Sequence, residues 1–261
     1  MFKRREFLTI SGAAGLASLT HVSPAAQPAA QGAREYYLLQ QYQLDDEAQR
    51  KRFDTAMQAA VPALNRAGVR PVGVFYPEEG VGPAYVLLPG KSAETLLGLV
   101  DKLLADSQYV QAAADVLGAT AESAGFKRLE SSLLLAFRGM PELQTPVQSP
   151  GRVFQLRIYE SPSVKTAKKK IEMFNDAGEL AIFRRVGLKA VFFGETLVGP
   201  KMPNLTYMLS FGSREEQQAA WQAFRSDPDW LKLKGMAEYA DKTILCGITN
   251  LLLKPAAYSQ I

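Results

Sequence analysis

Along most of this chain two hydrophobic periods take turns, period two for strands and period 3.6 for helices. Residues 153–160 read Val-Phe-Gln-Leu-Arg-Ile-Tyr-Glu, an alternating run rich in strand formers, which predicts a strand. Lys165–Val186 then places Ile171, Phe174, Ala181, Ile182 and Val186 at helical spacing and predicts a helix that Gly187 stops. Leu188–Phe193 and Leu205–Phe211 are apolar strands. Ser213 with Glu216 three residues on marks the next helix start, and Pro228 after Asp227 marks another. Ile244–Leu253 closes the series as a strand. Earlier in the chain Phe53, Met57, Ala60, Val61 and Leu64 form a clean helical stripe that ends at Gly68.

The same order is written twice. Glu35–Tyr42 lies against Arg152–Tyr159, Gly68–Phe75 against Gly187–Gly194, and Val81-Gly82-Pro83 against Val198-Gly199-Pro200. Tyr85–Gly90 matches Tyr207–Gly212, Asp106–Val110 matches Asp227–Leu231, and Ser132–Leu135 matches Asn250–Leu253. The offsets drift only from 117 to 122. This predicts a first repeat over 34–137, a proline-bearing linker over 138–151, and a second repeat over 152–261. Each repeat reads strand, helix, strand, strand, helix, strand, the order of a ferredoxin-like α+β plait.

In Leu188–Phe193 and Leu205–Phe211 both alternating faces are apolar, whereas a sheet with one wet face would alternate apolar with polar. The face away from the helices therefore needs a cover, and the other repeat's sheet is the economical one. The fold expected is α+β, tandem ferredoxin-like plaits packed sheet to sheet as an internal pseudo-dimer. On Val153–Glu160, Phe154, Leu156 and Ile158 are expected to meet the helices. Gln155, Arg157 and Tyr159 would then point into the space between the sheets.

Composition removes chemistry more than it adds any. The chain has 261 residues, 47% apolar and 21% charged, ordinary for a globular protein. It carries one cysteine, Cys246, and one histidine, His21, so no internal disulfide, no His/Cys metal cluster and no histidine-based triad is available. A net charge of +4 is too mild to point to nucleic acid. Lys3-Arg4-Arg5-Glu6-Phe7-Leu8 precedes a stretch to Ala33 with no acidic residue, lysine or arginine. That stretch is too polar to stay in a membrane and ends in small residues. It resembles a twin-arginine export signal over 1–33, which implies a periplasmic or extracellular protein. Its removal takes three basic residues and one acidic residue, lowering the net charge to +2, and takes the histidine as well.

Phe154-Gln-Leu-Arg157-Ile-Tyr159, Met173-Phe174, Phe192-Phe193-Gly194, Met202-Pro203-Asn204-Leu205-Thr206-Tyr207 and Asp227-Pro228-Asp229-Trp230 together resemble the NIPSNAP family. The resemblance spans Val153 to about Lys254. The first repeat departs from it, with Tyr109 in place of the Trp and no Met-Pro-Asn-Leu segment. It implies the dimeric α/β-barrel type of ferredoxin-like pairing, sheet to sheet. That superfamily includes haem-handling proteins, chlorite-dismutase-like enzymes, cofactor-independent oxygenases and binding proteins, so fold analogy alone names no reaction.

The candidate ligand-binding residues are Arg157, Tyr159, Asn204, Tyr207, Trp221 and Trp230. A buried Arg157 needs a carboxylate or carbonyl partner, either a ligand's anionic group or an internal carboxylate such as Glu179 or Glu195; otherwise it lies exposed at a sheet edge. Asn204 offers an amide near Tyr207, or simply caps a turn. Trp221 with Phe224, Trp230 and Tyr239 could wall a flat apolar pocket or fill a core. Lys168-Lys169-Lys170 reads as a solvated face, and Cys246 as an inert buried strand thiol. No metal, cofactor or catalytic pair is expected. The first reading is a binding or structural protein holding a small apolar or aromatic ligand between its sheets, as a single chain or a homo-oligomer. The alternative is a cofactor-independent oxygenase or isomerase acting on a small aromatic substrate. A haem enzyme is a third reading, without the usual histidine ligand but with Tyr or Met open as one.

Overall fold

Strand-forming runs with apolar residues on both faces must be covered on both, and the chain does this by closing its sheet. In the computed structural model, which describes residues 33–261, the first half runs β1 (Tyr36–Gln43), α1 (Glu47–Arg66), β2 (Gly73–Pro77) and β3 (Ala84–Gly90). Four short helices follow, α2 (Ala93–Leu97), α3 (Leu99–Leu104), α4 (Ser107–Ala112) and α5 (Ala114–Leu117), before β4 (Arg128–Ala136). The second half runs β5 (Val153–Glu160), α6 (Val164–Asn175), α7 (Glu179–Arg185), β6 (Lys189–Val198) and β7 (Asn204–Phe211). It ends with α8 (Arg214–Ser226), α9 (Pro228–Lys234), α10 (Asp241–Ile244) and β8 (Gly247–Pro255).

All pairings are antiparallel, in the closed order β1-β3-β2-β8-β5-β7-β6-β4. Each half contributes four adjacent strands in the same internal order, so the fold is the expected pair of plaits with facing sheets. The edges of the two sheets are also hydrogen-bonded, β2 to β8 and β4 to β6, and the pair becomes one eight-stranded barrel without free edges.

Three apolar clusters fill it. Inside the barrel lie residues of both halves, among them Tyr37, Phe75, Phe154, Phe192, Met208 and Leu253, all at or below 1% exposure. Phe75 and Phe154 meet across the halves with ring centroids 4.8 Å apart. Outside it, α1 and its neighbours cover Leu38, Val74 and Val86. The helices of the second half cover Leu205, Tyr207 and Leu209.

The structure reverses the expected faces of β5. Phe154 and Leu156 point into the barrel, while Val153 and Tyr159 belong to the cluster under the helices and Gln155 bonds to α8. The physical reason is closure. The interior of a filled barrel has no route to water, so it takes the apolar set, and the polar set goes where helices can supply partners.

Other expectations shift locally. The segment 165–186 is two helices, broken at Gly178, whose φ of +97° is left-handed. Gly68 and Gly187 do end their helices, at φ +88° and +84°. Cys246 is exposed and precedes β8 instead of lying within it. The repeat match in the third strands is one residue out of register. Gln40 pairs with Val86, and Arg157 pairs with Tyr207. The counterpart of Tyr207 is therefore Val86, and Tyr85 points into the barrel, because a one-residue slip moves a side chain to the other face.

Candidate functional site

With the barrel interior filled, the cavity that gathers the sequence-selected side chains lies on the outer face of the second half. A groove of about 430 Å3 opens between β5 and β8 on one side and α8, α9 and α10 on the other. Arg157, Tyr159, Trp221 and Trp230 line it, together with Gln155 and Asn250. The expectation of a ligand between the sheets is corrected accordingly: the space there is occupied by aromatic, methionine and aliphatic side chains.

The sequence builds this wall in simple steps. Ser213 caps α8 by accepting from the backbone N–H of Glu216, and Trp221 and Phe224 follow one turn apart. Asp227 caps α9, accepting from the N–H groups of Asp229 and Trp230 at 3.0 and 3.1 Å. Arg185 of α7 grips the same carboxylate with contacts of 2.8 Å, and this pairing holds the Asp227 carboxyl below its usual range. Trp230 is thus fixed against Phe224, ring centroids 4.4 Å apart.

On the strand side, Arg157 and Asn250 are direct cross-strand partners, so their side chains rise side by side. The Arg157 guanidinium lies over Trp221 at 4.7 Å and beside Tyr159 at 5.3 Å, distances at which ring faces attract a cation. Among the described residues no carboxylate comes within salt-bridge distance of it, and its Nε is buried without a hydrogen-bond partner. The two internal partners considered from sequence are taken: Glu179 by Lys170, and Glu195 by Lys168. Burial works against the Arg157 charge. The nearby phenol oxygens of Tyr207 and Tyr159 and the Glu179 carboxylate more than offset that and hold the guanidinium above its ordinary value.

Behind the groove lies a phenol pair. The Tyr159 and Tyr207 hydroxyls are 2.9 Å apart, and burial pushes the fully enclosed Tyr207 well above the usual phenol range. Beneath Tyr159 sits a feature the sequence reading missed. Lys170 is not on a solvated face; it is 1% exposed and paired with the equally buried Glu179 at 2.9 Å. Its ammonium is 4.6 Å from the Phe174 ring centre. Burial pushes the Glu179 carboxyl up, opposed by the Lys170 charge. The signal was present in the periodicity, since Lys170 falls three residues after buried Ala167 and four before Phe174.

Asn204 does not belong to the groove. Its amide donates to the carbonyls of Pro200 and Lys201 at 3.0 Å each, and its oxygen accepts from Thr196 at 2.6 Å. Every part of the side chain is spent on the turn into β7. Among the described residues no cluster of three or more His, Cys, Asp or Glu could hold a metal ion.

Comparison with known proteins places this groove in a recognised segment. Residues 154–260 match the sequence model of the NIPSNAP family, a segment that contains all of the groove. No curated protein matches the chain. Among solved structures, a candidate monooxygenase from Lactobacillus acidophilus NCFM is similar at 9% identity and TM-score 0.57, over 85% of this chain and 94% of that one. A second candidate monooxygenase, from Fusobacterium nucleatum, is similar at 10% identity and TM-score 0.56, over 86% and 93%. A mutant chlorite dismutase from Candidatus Nitrospira defluvii reaches TM-score 0.50 at 9% identity, over 86% and 92%. At these identities the likeness is one of fold alone: the dimeric α/β-barrel pairing of ferredoxin-like units, here within one chain.

Proposed function

We propose that the protein is an exported small-molecule-binding protein whose flat, largely apolar ligand sits in the groove of the second half. The observation that carries this reading is convergence. Four of the six side chains singled out from sequence, including the only two tryptophans of the chain, line one cavity, while the barrel interior is filled. The first half has Gln40 where the second has Arg157, and Val86 where it has Tyr207, so the site is single.

Binding is favoured over turnover by the burial of Tyr207. Burial raises the Tyr207 phenol well above its usual range and keeps it protonated, so it offers no phenolate to take a proton from a substrate near pH 7. A cofactor-independent oxygenase acting in the same groove is the second reading, favoured by the Tyr159–Tyr207 hydroxyl pair beside Arg157. Native mass spectrometry of protein purified from its exported form tests the first reading. A bound small molecule is expected, and its release should change the tryptophan emission. Oxygen uptake on adding an aromatic substrate would instead support the oxygenase.

Export rests on Arg4-Arg5 and the small-residue stretch, which lie outside the described residues. Replacing both arginines by lysine should retain the protein in the cytoplasm on cell fractionation. Unchanged delivery across the membrane would remove the basis for the twin-arginine route.

A further inference from the structure

We infer that the groove is made for a planar aromatic monocarboxylate; the inference rests on the reading of the groove as the binding site. Its starting point is an indole. A tryptophan Nε1–H can only donate. Trp221 Nε1 lies 2.5 Å from the Gln155 amide, so the atom facing it is the oxygen. Gln217 donates to that same oxygen at 3.1 Å. The Gln155 Nε2 is thereby turned toward Asn250, 2.6 Å away, and the Asn250 atom that receives it must be Oδ1. The Asn250 amide nitrogen is left to the groove as a donor. One indole N–H thus fixes the direction of two amides.

Arg157 stands next to that donor across the β5–β8 ladder. Its guanidinium has aromatic neighbours but no carboxylate among the described residues, and a half-buried guanidinium is stabilised by an acceptor it lacks here. The two donor groups side by side match the two coplanar oxygens of a carboxylate. Charge agrees with a single negative group. Arg157 and Arg225 line the groove against Asp241, a net of +1. Shape agrees with a ring system. Trp221, Trp230, Phe224 and Tyr159 supply flat apolar walls, and the volume of about 430 Å3 suits a small ligand.

The test is calorimetric titration of the exported protein with three probes of one shape: 2-naphthoate, the neutral 2-naphthalenemethanol and the cationic 2-naphthylmethylammonium. The expected result is 2-naphthoate binding about tenfold or more tighter than either, a preference that Asn250→Asp removes by turning the donor into an anionic acceptor. Asn250 is exposed and outside the core, so this variant should fold as the parent does. Equal binding of acid and alcohol, or tighter binding of the ammonium, would overturn the carboxylate while leaving the groove as a binding site. No heat from any probe, and no change in tryptophan emission, would overturn the groove reading itself.

Discussion

Lys170→Met should cost the protein ~3–5 kcal/mol of stability at neutral pH, because it leaves the Glu179 carboxylate charged and unpaired in the core. Both side chains of the pair are 2–3% exposed, so solvent does not screen the loss. The cost should also depend on pH in a definite direction. Without the Lys170 ammonium the main force opposing burial is gone, and the folded pKa of Glu179 rises further above the unfolded value of ~4.3. A folded carboxyl with a raised pKa contributes stability that is fully present below the unfolded pKa and lost as pH rises through the folded one. The deficit of Lys170→Met relative to the parent should therefore shrink on acidification toward pH ~4.3 and be largest at neutral pH and above. Adding Glu179→Leu should recover most of the loss, since an apolar pair of similar volume replaces a desolvated ion pair at little net cost. Urea unfolding of the parent and the two variants at two pH values reads all of this. A Lys170→Met protein as stable as the parent at neutral pH would contradict the buried pairing.

Phe154→Ala should cost a similar ~3–5 kcal/mol by opening a cavity in the barrel interior. Phe154 sits at 1% exposure against Phe75 of the other half. Because that cluster is shared, the loss should lower one cooperative transition for the whole described chain, followed by near-UV signal and by tryptophan emission alike. The tryptophans are both in the second half, whereas the near-UV signal includes the first half's tyrosines, so two separated transitions would show that the halves unfold independently and that the shared core is not what joins them.

The sequence made the elements and the plait order legible because the hydrophobic periods switch cleanly at Gly68, Gly187, Ser213 and Pro228. Apolar residues on both faces of Leu188–Phe193 and Leu205–Phe211 announced a covered second face. What periodicity could not assign was which face of β5 turned which way. Phe154 and Leu156 are the more apolar set, and a helix-covered face is ordinarily the apolar one. When both faces are covered, the better criterion is which cover can supply partners, and only the helix side holds Gln217, Trp221 and the Lys170–Glu179 pair.

The site was legible in part for the same reason. Arg157, Tyr159, Trp221 and Trp230 were found as residue types and meet in one groove. Gln155 and Asn250 were missed as site residues because their importance lies in the direction of their amides, which the Trp221 indole sets only once β5, β8 and α8 are assembled. Asn204 was open between a ligand amide and a turn cap, and the carbonyls of Pro200 and Lys201 that take its amide decide for the turn. Lys170 was obscured by its neighbours in a lysine run, although three consecutive helical positions point about 100° apart and cannot share one solvated face.

The most direct test of the groove is thermal unfolding of Arg157→Gln with and without 2-naphthoate. If Arg157 serves a ligand and not the fold, the variant should melt within a few degrees of the parent, since the lost cation–π contact of ~1 kcal/mol is offset by relief of a half-buried charge. The parent's midpoint should rise with 2-naphthoate and the variant's should not, because only a ligand bound to the folded state shifts it. A fall in the variant's midpoint of the size expected for a broken buried ion pair, or a naphthoate-induced rise that survives the substitution, would contradict the account.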